Sequence, residues 1–204
     1  MTSEGEVRIA AAARVDEGAQ VGAGSTVWDG AFIRDGASVG EGCTIARGVL
    51  VDAGVVIGSR CKVQDNALLY QPARIGDGVF IGPAVVLTND RRPRAVTPTG
   101  GTLEAEEWHA EGVEVGDGAA LGAGVVVVAG CRIGDWALVA AGAVVTSDVA
   151  DHALVAGNPA RQVGWVSRSA NRLEPDGERW RCPESGERYE AVESGLRLSV
   201  EQPS

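Results

Sequence analysis

Every sixth position from Ile9 to Leu87 holds valine, isoleucine or leucine, without one slip in register. Two places before most of these aliphatics stands a small residue, as in Ala13, Ala19, Ser25, Ala31, Ala37 and Cys43, with Val49 and Val55 continuing the slot. Three places after most of them stands glycine, as in Gly24, Gly30, Gly36, Gly42 and Gly48. The pattern resumes at Val115 and runs through Leu121, Val127, Ile133 and Val139 to Val145. A period of six matches neither an amphipathic helix nor the alternation of a long strand. It suits short β-segments joined by tight bends. The branched aliphatic points inward, the small residue leaves room at the corner, and glycine takes a positive-φ bend at little cost. Hexapeptide repeats of this kind are a signature of β-helical solenoids.

The rhythm breaks at Thr88. The stretch Thr88-Asn89-Asp90-Arg91-Arg92-Pro93-Arg94 is polar and basic, and beyond Gly112 the hexads return in a different phase. Residues 88–112 therefore have to leave the coil as one external loop, with Thr97-Pro98-Thr99-Gly100-Gly101 supplying turn chemistry. A loop of this length in a compact domain is either functional or disordered, and its polar, basic entrance points to function. At the other end, Gly157 and Pro159 in Ala156-Gly157-Asn158-Pro159-Ala160-Arg161 stop the coil. The expected organisation is an all-β coil domain over 7–161 and a C-terminal extension over 162–204. Within the extension, 179–190 reads as a short hairpin and the last dozen residues as loose.

Composition narrows the function classes. A formal net charge of −10 argues against a nucleic-acid surface, while leaving room for a small phosphorylated ligand held by a few local arginines. The N-terminus lacks a basic stretch followed by an apolar one, and Gly, Asp or Arg interrupts every apolar run before it reaches membrane-spanning length. The chain thus reads as soluble and cytoplasmic, with no membrane partner. None of Cys43, Cys61, Cys131 and Cys182 forms a C-x-x-C pair, so no metal site is expected. The first three share the small-residue slot of the repeat and read as buried structural thiols. Only His109 and His152 are present, too few for a three-histidine metal site in the manner of a β-helical carbonic anhydrase.

The repeat resembles the left-handed parallel β-helix of the hexapeptide-repeat acyltransferases, in which three hexads make one triangular coil. That resemblance implies four to five coils from residues 7–87 and about two more from 113–150, stacked about 4.8 Å apart. Several stretches resemble one group of these enzymes more closely, the nucleotide-sugar 3-amino N-acetyltransferases. They are CKVQDNALLY (61–70), GVFIGPAVVLTNDRRPRA (78–95), AAGAVVTSDVADHALVAGNPARQVGWVS (140–167) and CPESGERYE (182–190). GNPAR is generic to the wider family, whereas the TN and PRA elements are more discriminating.

The resemblance implies an acetyl-CoA-dependent transfer to the 3-amino group of a UDP- or dTDP-linked amino sugar, by a homotrimer and without a metal. It places Asn89, the asparagine of the TN motif, against the acceptor amine as the catalytic residue. Gln64, Tyr70 and Arg94 match positions that bind the sugar nucleotide, Arg94 through its guanidinium fork. Gly142, Ala143 and Gly157 match positions where backbone approaches the pantetheine arm of CoA, and Arg161 a basic position near its phosphates. No protein general base is implied. An amine with a pKa of roughly 8 has free base to offer at neutral pH and needs orientation more than deprotonation. His152 aligns with a structural cap position. Asp29 stands after Trp28 where the family often has histidine, which leaves the fine specificity open. The alternatives are an O-acetyltransferase of a sugar using His109 as base, and a non-catalytic β-helix scaffold.

Overall fold

The computed structural model of the chain describes residues 5–104 and 108–199, and in it each hexad is a two-residue strand followed by a tight turn. Successive strands fall in rotation onto three faces. The first face begins with Arg8–Ile9 and Thr26–Val27, the second with Arg14–Val15 and Phe32–Ile33, the third with Gln20–Val21 and Ser38–Val39. Each strand pairs in parallel with the one a full coil away, as in Lys62↔Thr44 and Val63↔Ile45. Among the described residues the first face has eight such levels, the second seven and the third six. The fold is therefore an all-β parallel solenoid. Its inward aliphatics form one continuous core: Ile33, Ile45, Leu69, Ile81, Leu87 and Ile133 are all fully buried. Burying each such side chain is worth about 1.5–3 kcal/mol, the main return on ordering so many short strands.

The corners are not equivalent. Between the third and first faces the residue after the inward aliphatic is Gly22, Gly40, Gly58, Gly76, Gly116 and Gly134 in turn. Here coils approach so closely that a Cβ on Gly58 would lie 2.7 Å from the Gly76 backbone. Beside these glycines an aspartate ladder ties coil to coil. The amides of Ser59, Asp77 and Asp117 donate to the carboxylates of Asp77, Asp117 and Asp135 at 2.8, 2.8 and 3.1 Å. The left-handed bend three places after the aliphatic is held by glycine at most corners, but Arg60, Asn66, Ala84 and Trp136 adopt it too, at φ of 58, 59, 56 and 57°. The backbone geometry is imposed by stacking, and glycine is its cheapest occupant rather than a requirement. All four cysteines are free and buried. Ser25, Cys43 and Cys61 stack at one corner, with the Cys43 and Cys61 sulfurs each 3.1 Å from a carbonyl oxygen, those of Gly58 and Gly76.

After the last hexad strand, Val144–Val145, the coil continues for one more level. Ala153–Ala156 adds a level to the first face, reached by a shortened corner because Leu138 pairs with Leu154, and Arg161–Trp165 folds back along it antiparallel. Beyond lies a four-stranded antiparallel sheet of Glu174–Asp176, Arg179–Arg181, Arg188–Val192 and Gly195–Leu198 around its own core of Leu173, Cys182, Tyr189 and Leu196. The expected hairpin is its middle pair. The supposedly loose end includes a strand, because Ser194 and Leu196 dock on Asp151: the Asp151 amide donates to the Ser194 carbonyl at 2.9 Å, and the Leu196 amide to the Asp151 carbonyl at 3.2 Å. Tyr189 also meets buried His152 edge-on, with ring centroids 5.0 Å apart. Sequence periodicity carried no trace of this docking.

Candidate active site

The site is organised around the break at Thr88. Strand partners are eighteen residues apart at Leu69↔Leu87 but forty apart at Ile75↔Val115, so twenty-two extra residues leave the coil between them. They depart at the corner between the second and third faces, directly above Tyr70, whose amide donates to the Leu87 carbonyl at 3.3 Å. Thr88 anchors the exit. Its hydroxyl donates to the Val127 carbonyl at 3.0 Å and accepts the Ala129 amide at 2.9 Å, fastening the departing chain to the next coil.

The segment is an arm with a closed neck. The Glu111 amide donates to the Asn89 carbonyl at 3.0 Å, so the chain returns beside the residue at which it left. One step farther out, the Asp90 carboxylate accepts the Arg92 amide at 2.9 Å and the Trp108 indole N–H at 3.0 Å. Near the tip, Val96 bridges Thr102, and the Thr97 amide donates to the Gly101 carbonyl at 2.9 Å, the turn expected from TPTGG. Return is made through Gly112, where a Cβ would lie 2.7 Å from the Pro72 carbonyl oxygen.

Asn89 is half-buried at this neck, and its side-chain amide has no hydrogen-bond partner among the described residues. Tyr70 lies one coil below on the same corner, also half-buried. Beneath it sits the buried carboxylate of Asp52, paired with Arg34 at 2.5 Å and accepting the Gln71 amide at 3.4 Å. Arg94 is exposed on the arm, its guanidinium donating to the adjacent Pro93 carbonyl at 2.7 Å, while Arg91 donates to the Ala129 carbonyl at 3.4 Å. Burial pushes the Cys131 thiol behind this corner upward, an effect that the Arg91 charge opposes. His109 is exposed on the returning segment of the arm.

The remaining sequence candidates lie elsewhere. Gln64 stands at the corner between the first and second faces, between small neighbours Ala46 and Gly82 of the adjoining coils. Gly142 is exposed on the same edge, three coils on, with φ of 72° and nothing within 4 Å of where a Cβ would stand. Ala143 turns into the core, fully buried, so what it contributes is small volume behind Gly142. Gly157, with φ of 95°, crosses above the second face, its carbonyl accepting the Val144 amide at 3.0 Å. Arg161 is exposed at the C-terminal rim and lines a cavity of about 430 Å³ with Thr146, Ser147, Asp148 and Gln162. One chain thus brings Asn89 and Tyr70 together, but leaves Gln64 and the glycine edge across the width of the second face.

That second face has an apolar exterior. Six of its seven outward residues, Phe32, Leu50, Leu68, Val86, Val126 and Val144, are apolar and half-buried, the seventh being exposed Arg14 at the N-terminal end. The third face instead shows Gln20, Ser38, Arg74, Glu114 and Arg132, with Val56 as its one apolar residue. The signal recurs every eighteen residues on either side of the arm and was present in the sequence. It is hidden there because a single outward residue per hexad has no periodicity of its own until the hexads are sorted onto faces.

These features define a class: a parallel β-solenoid of hexapeptide coils interrupted once by an arm that carries polar chemistry. The family description "Bacterial transferase hexapeptide (six repeats)" matches residues 54–89 and 112–147, stopping and restarting at the arm, and "Hexapeptide repeat of succinyl-transferase" matches 13–53. The chain belongs to the hexapeptide-repeat transferase family. It is 36% identical over 93 residues to serine acetyltransferase 4 of Arabidopsis thaliana, covering 45% of this chain and 25% of that one. It is 39% identical over 57 residues to a dTDP-3-amino-3,6-dideoxy-alpha-D-galactopyranose 3-N-acetyltransferase of Aneurinibacillus thermoaerophilus, covering 28% of this chain and 30% of that one. The chain therefore spans less than a third of the length of these curated relatives. Among solved structures, a UDP-N-acetylglucosamine acyltransferase of Bacteroides fragilis superposes with a TM-score of 0.64 at 18% identity, over 78% of this chain and 61% of that one, a likeness of fold.

Proposed function

We infer that this protein is an acetyl-CoA-dependent N-acetyltransferase acting on the 3-amino group of a UDP- or dTDP-linked amino sugar in the cytoplasm. The observation that carries this reading is Asn89: an unpaired carboxamide, half-buried, at the closed neck of the one arm that interrupts a transferase-type coil. The similarity to a dTDP-amino-sugar 3-N-acetyltransferase supports the acceptor class.

In the reaction, the Asn89 carboxamide oxygen accepts a hydrogen bond from the acceptor amine and aims its lone pair at the thioester carbonyl. The N–C bond forms, a backbone N–H steadies the oxyanion, and the C–S bond breaks. The departing CoA thiolate takes the proton from nitrogen, leaving an amide and free CoA. The corner segments Gly82-Pro83-Ala84, Gly122-Ala123-Gly124 and Ala140-Ala141-Gly142 give the pantetheine arm an edge of small residues, and Arg161 offers a charge to the CoA phosphates.

The separation of the two candidate edges is met by a homotrimer. The apolar second face lies between them, so packing three such faces about a threefold axis covers Phe32, Leu50, Leu68 and Val86. It also sets the Asn89–Tyr70 corner of one copy against the Gln64–Gly142 edge of the next. Each active site then takes its acceptor groups from one copy and its CoA edge from another.

Steady-state kinetics with acetyl-CoA and a panel of UDP- and dTDP-linked 3-amino sugars tests the reading; no turnover on any of them overturns it. A second reading, O-acetylation with His109 as base, rests on that histidine's exposure on the arm and on the likeness to a serine acetyltransferase. It is supported if His109→Ala abolishes turnover while Asn89→Ala does not. A non-catalytic scaffold predicts no turnover and no acetyl-CoA binding.

A further inference from the structure

Trp108 has no part in the coil, yet its indole is held in a defined place. The residue is 36% exposed, and its indole N–H is already spent on the Asp90 carboxylate at 3.0 Å. The other oxygen of the same carboxylate accepts the Arg92 amide, so Asp90 clamps the outgoing and returning segments of the arm at one point. That point is one residue from Asn89, whose carbonyl accepts the Glu111 amide three residues beyond Trp108. With its polar edge satisfied, the indole has only its apolar face to offer a ligand, and Asp90 anchors it one residue along the chain from Asn89, the group proposed to orient the amine. A flat aromatic surface fixed in advance loses little entropy on binding and suits an apolar ring face.

We propose that Trp108 is the platform on which the acceptor sugar ring rests, with Asp90 as the residue that positions it. The inference builds on the proposed sugar N-acetyltransferase function. It assigns the C–H face of a deoxy-amino pyranose to Trp108 and the 3-amino group to Asn89. The nucleobase and diphosphate are left to other groups, because Asp90 ties Trp108 to the residue next to Asn89, whereas the base lies a diphosphate away from the reacting amine. Asp90 acts through Trp108 and does not touch the reacting atoms.

The test compares wild type, Trp108→Ala, Trp108→Phe and Asp90→Ala, using dTDP- or UDP-linked 3-amino-3,6-dideoxyhexose with acetyl-CoA, after thermal melts establish that each variant is folded. Trp108→Ala is expected to raise KM for the nucleotide sugar about tenfold with kcat within a few-fold and KM for acetyl-CoA unchanged. Trp108→Phe keeps KM within about threefold of wild type, and Asp90→Ala falls between the two. Calorimetry with bare dTDP or UDP separates sugar from base: its Kd should be the same in wild type and Trp108→Ala. An unchanged KM in Trp108→Ala overturns the platform. An equal loss of bare-nucleotide binding assigns the ring to the base instead, and a parallel rise in KM for acetyl-CoA marks collapse of the arm; both reject the proposal. If wild type turns over none of the sugars, the functional reading fails and takes this one with it, whereas active wild type with an indifferent Trp108→Ala rejects this one alone.

Discussion

Gly58→Ala and Gly54→Ala change one methyl group each, four residues apart in the same coil, and should have unequal consequences. A Cβ at position 58 would lie 2.7 Å from both the carbon and the oxygen of the Gly76 carbonyl and 2.4 Å from Asp77 Oδ1. Comfortable carbon contacts are about 3.5–4.0 Å, so the next coil has to retreat by roughly 1 Å from a spacing near 4.8 Å. That retreat pulls on the Gly58 amide bond to the Ile75 carbonyl and the Ser59 amide bond to Asp77, each 2.8 Å long. Overpacking of about 1–3 kcal/mol plus about 1 kcal/mol for a weakened hydrogen bond gives a loss of about 3 kcal/mol. For a chain of this size that is a fall in melting temperature of about 6–12 °C. Position 54 has φ of 69° and nothing within 4 Å of the added carbon. Only the left-handed backbone is penalised there, at about 1–2 kcal/mol. Thermal melts followed by circular dichroism, with urea midpoints as a second measure, compare the two variants. A Gly54→Ala loss equal to or greater than that of Gly58→Ala would refute the argument that coil approach, not φ, sets the cost at the third-to-first corner.

Asn89→Ala should lower kcat at least a hundredfold while leaving the melting temperature and acetyl-CoA affinity near wild type, and His109→Ala should retain most activity; kinetics beside calorimetry reads both. Leu68→Asp places a charge in the apolar second face and should convert the proposed trimer to monomers in light scattering, with turnover lost and circular dichroism retained. A monomeric, fully active variant rules out the composite site. Burial holds the His152 imidazole below its ordinary value of 6.5. The unfolded chain therefore binds the extra proton first, so the stability gained from neutral His152 is present above about pH 6.5 and is lost as pH falls below it. Melts from pH 8 to pH 5 should show a shallower acid decline in His152→Phe, and an unchanged slope counts against a role for this group.

Much of the fold was legible because a solenoid repeats its instructions. Ile33, Val51 and Leu69 each occupy the inward slot that their spacing predicted, and the phase shift after Leu87 located the arm. The four-stranded C-terminal sheet was read as a single hairpin because strands such as Glu174–Asp176 are too short and polar to show alternation. Trp108 went unremarked for a related reason: nothing in a lone tryptophan after an irregular stretch indicates that Asp90, eighteen positions earlier, clamps it. The outward stripe of Phe32, Leu50, Leu68 and Val86 was readable only once the face to which each hexad belongs was known.

Taken alone, the sequence determined the architecture, because an aliphatic every six residues with small residues and glycine between can bury its apolar side only by coiling. It also determined where the coil must be broken, since a change of phase cannot be absorbed by identical stacked turns. The tertiary structure decided what lies next to what. It put Tyr70 beneath Thr88 and closed Asn89 against Glu111. It clamped Trp108 to Asp90 and set Gln64 and Gly142 on a different edge from Asn89. Those relations depend on pairings between residues eighteen, twenty-two or forty positions apart, formed because strands with unsatisfied backbone groups have to find partners in neighbouring coils.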